Sequence, residues 1–428
     1  MCPIISTHHS MLFINENVNE NDRYNSDISI VVSNITFEIL KDSPGLVADV
    51  ANGTADRAVL ETAVIKVIDK HKYRCGLSRD DLINKIFDYM FGYGALQTYI
   101  DDEDISDIDG TKYDEFVIKR NGVREVIPVS FGNEEIFDTY CKLIAIRNGG
   151  ILNENDSHCR VTDEKRRLRI NVSIRPRNIS GPSISIRKHR VDSYSMFDLV
   201  ELGMMSKEIA EFFYKISKTD ATILFCGKGA AGKTTLMRAF VNILPPMERV
   251  LIAESDAEIY PDKPYCIEQR IKKQYEGGRS ISLGDLVKDG LTMSLDTYCI
   301  GEIVGEEAWE YIKAAFTGHR CLATTHSESA EDALARLISL CRGVNSQEDR
   351  TMKAIMAKSI DLIVFLNDFR IQGIVEVCSY DSENDRYDFN RLFRFEPEYK
   401  TDFSVTNGSF TRCGKPAGKL AYKLERGA

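Results

Sequence analysis

The segment Gly227-Lys228-Gly229-Ala230-Ala231-Gly232-Lys233-Thr234 constrains this chain more than any other stretch of it. It fits the spacing G-x-x-x-x-G-K-[ST] and stands between an apolar run (ATILFC) and a helical pattern (TTLMRAF). Glycines at 227, 229 and 232 permit positive φ and close backbone approach, so consecutive N–H groups can turn toward one anion. Those amides and the N-terminus of the following helix suit a β-phosphate. Lys233 then reaches the β- and γ-phosphates, the Thr234 hydroxyl faces Mg2+, and Thr235 follows in the same turn. A nucleotide and Mg2+ are the ligands this loop predicts.

The flanking pattern fits such a loop. Helix 206–217 precedes the strand Thr222–Cys226, and further apolar strands are expected at Val250–Ala253, Thr297–Ile300, Cys321–Thr325 and Leu362–Leu366. Helices at 283–293, 305–316, 328–341 and 349–359 are long enough to serve as crossovers. The result is an α/β domain with a mostly parallel sheet covered on both faces. Hairpin-like strands follow at Gly373–Ser379 and Tyr387–Phe395. Upstream, helical stripes run over Ala55–His71 and Arg79–Phe91, a hairpin over Glu115–Val129 turns at Asn121-Gly122, and a helix covers Asn133–Arg147. Residues 1–50, rich in Asn and Asp, are expected to be a loose extension, and the basic stretch 401–428 a mobile tail.

Composition narrows the setting. The chain has 428 residues, 43% hydrophobic and 28% charged, which suggests two or three domains with ordinary cores. A net charge of −10 argues against a protein whose main business is coating DNA. Eleven cysteines without a C-x-x-C pair fit a reducing cytosol and provide no zinc-ligand pair. The N-terminus lacks a signal-peptide pattern, and no run approaches the roughly 18 apolar residues of a membrane span. Against the acidic average, residues 165–190 carry nine Lys and Arg and no acid, which implies an anionic partner: nucleotide phosphate, nucleic acid or lipid headgroups.

Hydrolysis needs more than a phosphate loop. A carboxylate near the metal and a group that orients water are expected at the carboxyl ends of neighbouring strands. Two acidic strand ends qualify: Glu254-Ser255-Asp256-Ala257-Glu258 after Val250-Leu251-Ile252-Ala253, and Glu302 after Tyr298-Cys299-Ile300-Gly301. Taken singly, such acids are commonly solvated helix caps. Two histidines, His319 and His326, bracket the short apolar strand at Cys321-Leu322-Ala323, and His326 ends it. His326 is a candidate contact to the γ-phosphate.

These motifs, taken in order, resemble the type II/type IV secretion superfamily of ATPases, with the tight-adherence pilus (CpaF-like) branch the nearest in appearance. The resemblance runs from about residue 60 to 397. It rests on Arg169-Ile170-Asn171, on Gly181-Pro182-Ser183-Ile184-Ser185-Ile186-Arg187-Lys188, and on the complete phosphate loop. It continues through the acidic box Glu254 to Glu258, an atypical Walker B at Gly301-Glu302, and a histidine box at Thr325-His326-Ser327 after Thr317-Gly318-His319. The resemblance implies ATP as the nucleotide, and a RecA-like P-loop ATPase domain at 201–400, preceded by a smaller α/β, PAS-like N-terminal domain with a basic linker at 51–200. It implies that Arg169 and Arg187 contact phosphate and that His319 belongs to the nucleotide site. Glu302 would position the attacking water, Glu254 and Glu258 would assist at the metal or the water, and His326 would contact the γ-phosphate region. It further implies a homohexamer on the cytoplasmic face of a membrane platform protein, without the zinc module of one branch. Ser255, Val304, the stretch Leu291–Asp296 and the surroundings of Gly284-Asp285 depart from the family pattern and suggest a divergent member, in conjugative or mobile-element transfer. A nucleic-acid-stimulated motor, and an ATP-binding scaffold with little turnover, remain as alternatives.

Overall fold

The computed structural model describes residues 28–51, 53–71, 76–189, 193–272, 279–343, 348–399 and 405–427. The chain divides into two compact units, Met1–Lys188 and His189–Ala428.

In the first unit, α1 (Ile28–Asp42), α2 (Pro44–Ala51), α3 (Arg57–His71) and α4 (Arg79–Phe91) share one core with Leu143. The Ser78 side chain caps α4 by accepting from Asp81 N, and Asp80 and Asp81 complement its dipole. The loose extension expected over 1–50 is corrected for residues 28–51. Val31, Val32, Ile35 and Ile39 form a buried helical stripe there, while the Asn/Asp-rich residues 14–27 that dominate the composition lie outside the described part.

After α5 (Gln97–Asp101) come β1 (Ile105–Lys112), β2 (Glu115–Arg120), β3 (Val123–Ile127), α6 (Glu134–Arg147), β4 (His158–Asp163), β5 (Leu168–Ser173) and β6 (Ser183–Lys188). The strands form one antiparallel sheet in the order β3-β2-β1-β6-β5-β4. Asn121 and Gly122 turn the β2–β3 hairpin with φ of 47° and 84°, as an Asn-Gly turn requires. Every second residue of β4, β5 and β6 is buried, and Phe116, Phe131, Phe137 and Tyr140 fill the core beneath. The alternation leaves Arg169 and Arg187 on the opposite face, directly across from each other on β5 and β6. Within the basic run 165–190, Arg169 and Arg187 thus lie on the polar side of two strands, while Lys165, Arg166, Arg167, Arg175 and Arg177 lie in the turns between strands.

The second unit contains α7 (Met196–Glu201), α8 (Lys207–Ile216), β7 (Ile223–Gly227), α9 (Lys233–Asn242), β8 (Val250–Glu254), β9 (Cys266–Arg270), α10 (Leu283–Gly290), β10 (Thr297–Ile300), α11 (Glu307–Phe316) and β11 (Arg320–Thr325). It closes with α12 (Ala330–Cys341), α13 (Asp349–Ser359), β12 (Leu362–Asn367), β13 (Arg370–Asp381), β14 (Arg386–Tyr399), β15 (Val405–Arg412) and α14 (Gly418–Arg426). Its boundary precedes α7, because Met196 and Leu199 are buried in this unit's core.

The sheet order is β15-β14-β13-β12-β7-β11-β10-β8-β9. Strands β12, β7, β11, β10, β8 and β9 run parallel, and β13 to β15 add antiparallel strands beside β12. Side chains of β7 alternate between two cores. Ile223 and Phe225 pack with Ile209, Phe213 and Phe240; Leu224 and Cys226 pack with Ile312, Leu337 and Met356 on the other face. A sheet covered on both sides explains why these strands read as uninterrupted apolar runs. This is the expected α/β architecture.

The mobile basic tail is corrected for the residues described. Strand β15 pairs with β14, and α14 packs through the buried Leu420. The buried carboxylate of Asp361, just before β12, accepts from Thr222 N at 2.8 Å and lies 2.9 Å from Lys423 Nζ and 3.4 Å from Lys419 Nζ. Two lysines of the basic tail thus neutralise an internal acid. Removing the acid leaves Lys423 with Asp220 at 3.2 Å and Lys419 with the carbonyls of Ala357, Lys358 and Ile360, and it strips Thr222 N of its acceptor. Asp361→Ala is expected to cost about 3 kcal/mol in urea unfolding and to raise amide exchange in α14 before that in β7.

Candidate nucleotide site

The phosphate loop joins the carboxyl end of β7 to α9. Its start is set by a backbone approach: a Cβ on Gly227, whose φ is 149°, would stand 2.1 Å from the Leu366 carbonyl oxygen at the end of β12. Only glycine fits there. At the other end, Gly232 is the N-cap of α9 with a φ of 88° and no capping side chain. The first amides of α9 therefore have no side-chain acceptor, and Thr234 and Thr235 occupy its partly exposed first turn.

Lys233 is buried. Its Nζ donates to the carbonyls of Gly227 at 3.0 Å and Lys228 at 2.9 Å, and lies 3.4 Å from His326 Nδ1. Burial lowers its pKa, against the raising influence of Glu302, Cys226 and Glu258. Lys228, Gly229 and Ala230 form the exposed rim, and Ala231 is buried beneath.

His326 follows β11 and Glu302 follows β10, and β11 pairs directly with both β7 and β10. His326 Nε2 donates to Glu302 Oε1 at 2.6 Å. With the Nε2 proton committed to Glu302, Nδ1 is the acceptor that faces Lys233. A polar chain Lys233–His326–Glu302 thus runs along the carboxyl edge of the sheet, with His326 and Glu302 both partly exposed.

Glu254 ends β8 and is buried. Both of its oxygens accept from the backbone N–H groups of Glu258 and Ile259, at 3.1 to 3.2 Å. Burial nevertheless raises its pKa to about 8. Gly301 closes over it: a Cβ there would lie 3.0 Å from Glu254 Cγ, so the residue before Glu302 packs on the Glu254 side chain. Glu258 is partly buried in the same turn.

Thr324 Oγ1 donates to Gly301 O at 2.6 Å, which ties β11 to the residue before Glu302. Glu307, which is not among the sequence-predicted site residues, is buried with Oε1 accepting from Val304 N at 2.5 Å and Gly305 N at 2.7 Å. It holds the loop that follows Glu302. The signal was its place at the start of a helix after a glycine, where a carboxylate meets free amides.

His319 is not brought to this loop. It precedes β11 at the amino edge of the sheet, edge-on to Tyr298 at 5.2 Å, with Thr317 Oγ1 at 3.1 Å from its Nδ1. The strand that separates it from His326 spans about 20 Å, so its expected place in the nucleotide site of its own chain is corrected. Arg169 and Arg187 are together, but in the first unit. Arg187 Nε donates to Asp107 Oδ1 at 3.0 Å. Like charges directly opposite on paired strands are unfavourable, and Asp107 offsets part of that cost.

The residues fit a phosphate group. A buried ammonium and uncapped helix amides converge on one loop, and the donor set is cationic or neutral. Among the described residues no three His, Cys, Asp or Glu side chains gather to hold a metal. Mg2+ here would therefore be held by nucleotide phosphates together with the Thr234 hydroxyl.

The raised pKa of Glu254 has a consequence for stability. The folded chain keeps a proton on Glu254 that the unfolded chain releases above its ordinary value of 4.5, so this contribution is full below 4.5 and is lost as pH rises toward 8. Urea midpoints of the native protein should fall between about pH 5 and about pH 8, and Glu254→Gln should flatten that slope.

The chain is similar in sequence to several known proteins. An uncharacterized protein of Methanocaldococcus jannaschii, MJ1287, is 29% identical over 213 residues, 48% of this chain and 76% of that protein. Protein VirB11 of Agrobacterium fabrum is 30% identical over 156 residues, 36% of this chain and 44% of VirB11, so the match spans less than half of that relative. The crystal structure of the Legionella pneumophila ATPase DotB aligns over 72% of this chain and 80% of that one, at 16% identity and a TM-score of 0.48. Residues 154–368, about half of the chain and including the whole phosphate loop, Glu254, Glu302 and His326, match the Type II/IV secretion system protein family, and the chain belongs to that family.

Proposed function

We propose that the chain is an ATPase that works as a motor for macromolecular transport. The observation that carries this reading is the chain Lys233–His326–Glu302 beside uncapped helix amides at one sheet edge. Loop amides and Lys233 hold the phosphates, and Thr234 shares the Mg2+ that neutralises them. Glu302 accepts a hydrogen bond from the attacking water and draws off its proton. His326 has both Lys233 and Glu302 within reach, so it links occupation of the γ-phosphate position to the placing of the water. Glu254, buried and turned into its own backbone, acts as a positioning group under Gly301, while Glu258 assists nearer the metal.

Arg169 and Arg187 are assigned to an anion, because two adjacent guanidinium groups on an open sheet face favour one. In this proposal that anion is nucleotide phosphate. Six copies form a ring on the cytoplasmic face of a membrane platform protein. Among the described residues no helix is long and apolar enough to cross a membrane. Within the family the motifs favour the tight-adherence pilus branch, in a divergent, conjugative or mobile-element member. The basic strands also support a second reading, a motor stimulated by nucleic acid. DNA or RNA would then raise turnover with steep salt dependence.

Lys233→Ala is expected to abolish ATP binding in equilibrium titration. Glu302→Gln is expected to bind ATP normally and to hydrolyse it about 10²–10⁴-fold more slowly. Normal turnover in Glu302→Gln would overturn the assignment of the water-positioning group.

A further inference from the structure

The phosphate loop has two flanks, and the site described so far uses one. Strand β7 lies between β11, which ends at His326, and β12, which ends in a two-residue turn to β13. Asp368 and Phe369 at that turn have φ of 48° and 56°. Two-residue turns of this hand normally carry Asn or Gly, because the left-handed region crowds a side chain. A phenylalanine there is a strained choice, and strain of this kind gathers at functional sites.

The Phe369 ring lies against the loop. A Cβ on Gly232 would stand 2.8 Å from Phe369 Cδ2 and 2.7 Å from Met204 Cε. Tyr194 meets the Phe369 ring edge-on, at 6.4 Å between centroids. Both aromatic rings are partly exposed, whereas Met204 beneath them is fully buried. The turn is pinned in place: Ile371 N donates to Met204 O at 2.9 Å, and Arg370 Nε donates to Gly203 O at 3.2 Å.

A nucleotide whose γ-phosphate points to Glu302 and His326 must extend its sugar and base the other way, toward β12. The groups waiting there are aromatic. We infer that Phe369, with Tyr194, is the seat on which the base of the nucleotide stacks. The inference rests on the proposal that the loop binds a nucleoside triphosphate. It adds that affinity depends on the base as well as on the phosphates, and that the larger purine ring is preferred to a pyrimidine.

The test compares ligands with and without a base, by calorimetric titration of the full chain with MgATP, MgCTP and inorganic tripolyphosphate. Phe369→Gly relieves the positive φ as it removes the ring, so it should fold at least as well as the native protein. Base stacking predicts that Phe369→Gly weakens MgATP binding about tenfold or more, erases the preference for ATP over CTP, and leaves tripolyphosphate affinity unchanged. Phe369→Tyr should restore ATP binding. A variant that binds ATP like the native protein, or that loses ATP and tripolyphosphate equally, overturns the base seat and makes Phe369 a packing wedge for the loop. Native protein that binds neither ligand overturns the nucleotide reading as well.

Discussion

The approach of Gly227 to the Leu366 carbonyl is the constraint on which the site depends. No side chain fits between β7 and the end of β12 at that point, so the backbone turns into the loop without a gap. On its other side β7 pairs with β11, whose end carries His326. Because β7 is buried on both faces, it cannot shift register without displacing two cores. Loop, histidine and glutamate therefore share one edge as a consequence of strand pairing.

Burial then separates two glutamates of the same chemistry. Glu254 and Glu302 both close apolar parallel strands. Glu254 turns inward under Gly301 and spends its oxygens on two amides of its own turn. Glu302 stays partly exposed and accepts a hydrogen bond from His326 Nε2. One carboxyl props a turn and the other faces the space beside the phosphate loop. The buried Glu307 completes the arrangement by holding the amides that follow Glu302.

Much of this was legible in the sequence. The helix over Asp349–Ser359 and the strand Thr297–Ile300 lie where periodicity placed them, and Asn121-Gly122 turns a hairpin. These features depend on local patterns of burial and turn geometry. Residues 28–51 were obscured because polar neighbours diluted a helical stripe. The tail was misjudged because its lysines find their partner, Asp361, far away in the sequence. His319 and His326 flank one short strand, and an extended strand sends its two ends to opposite edges of the sheet.

The sequence alone determined that a phosphate loop stands between a strand and a helix, and that acidic and histidine strand ends accompany it. Those are local properties, set by glycine freedom and by hydrophobic period. Tertiary structure decided which of those residues meet. Parallel pairing of β7, β10 and β11 brings Lys233, His326 and Glu302 together and leaves His319 at the other edge. It also decided that Glu254 is buried while Glu302 is not. Neither outcome is written in residue type, because burial and pairing belong to the packed sheet.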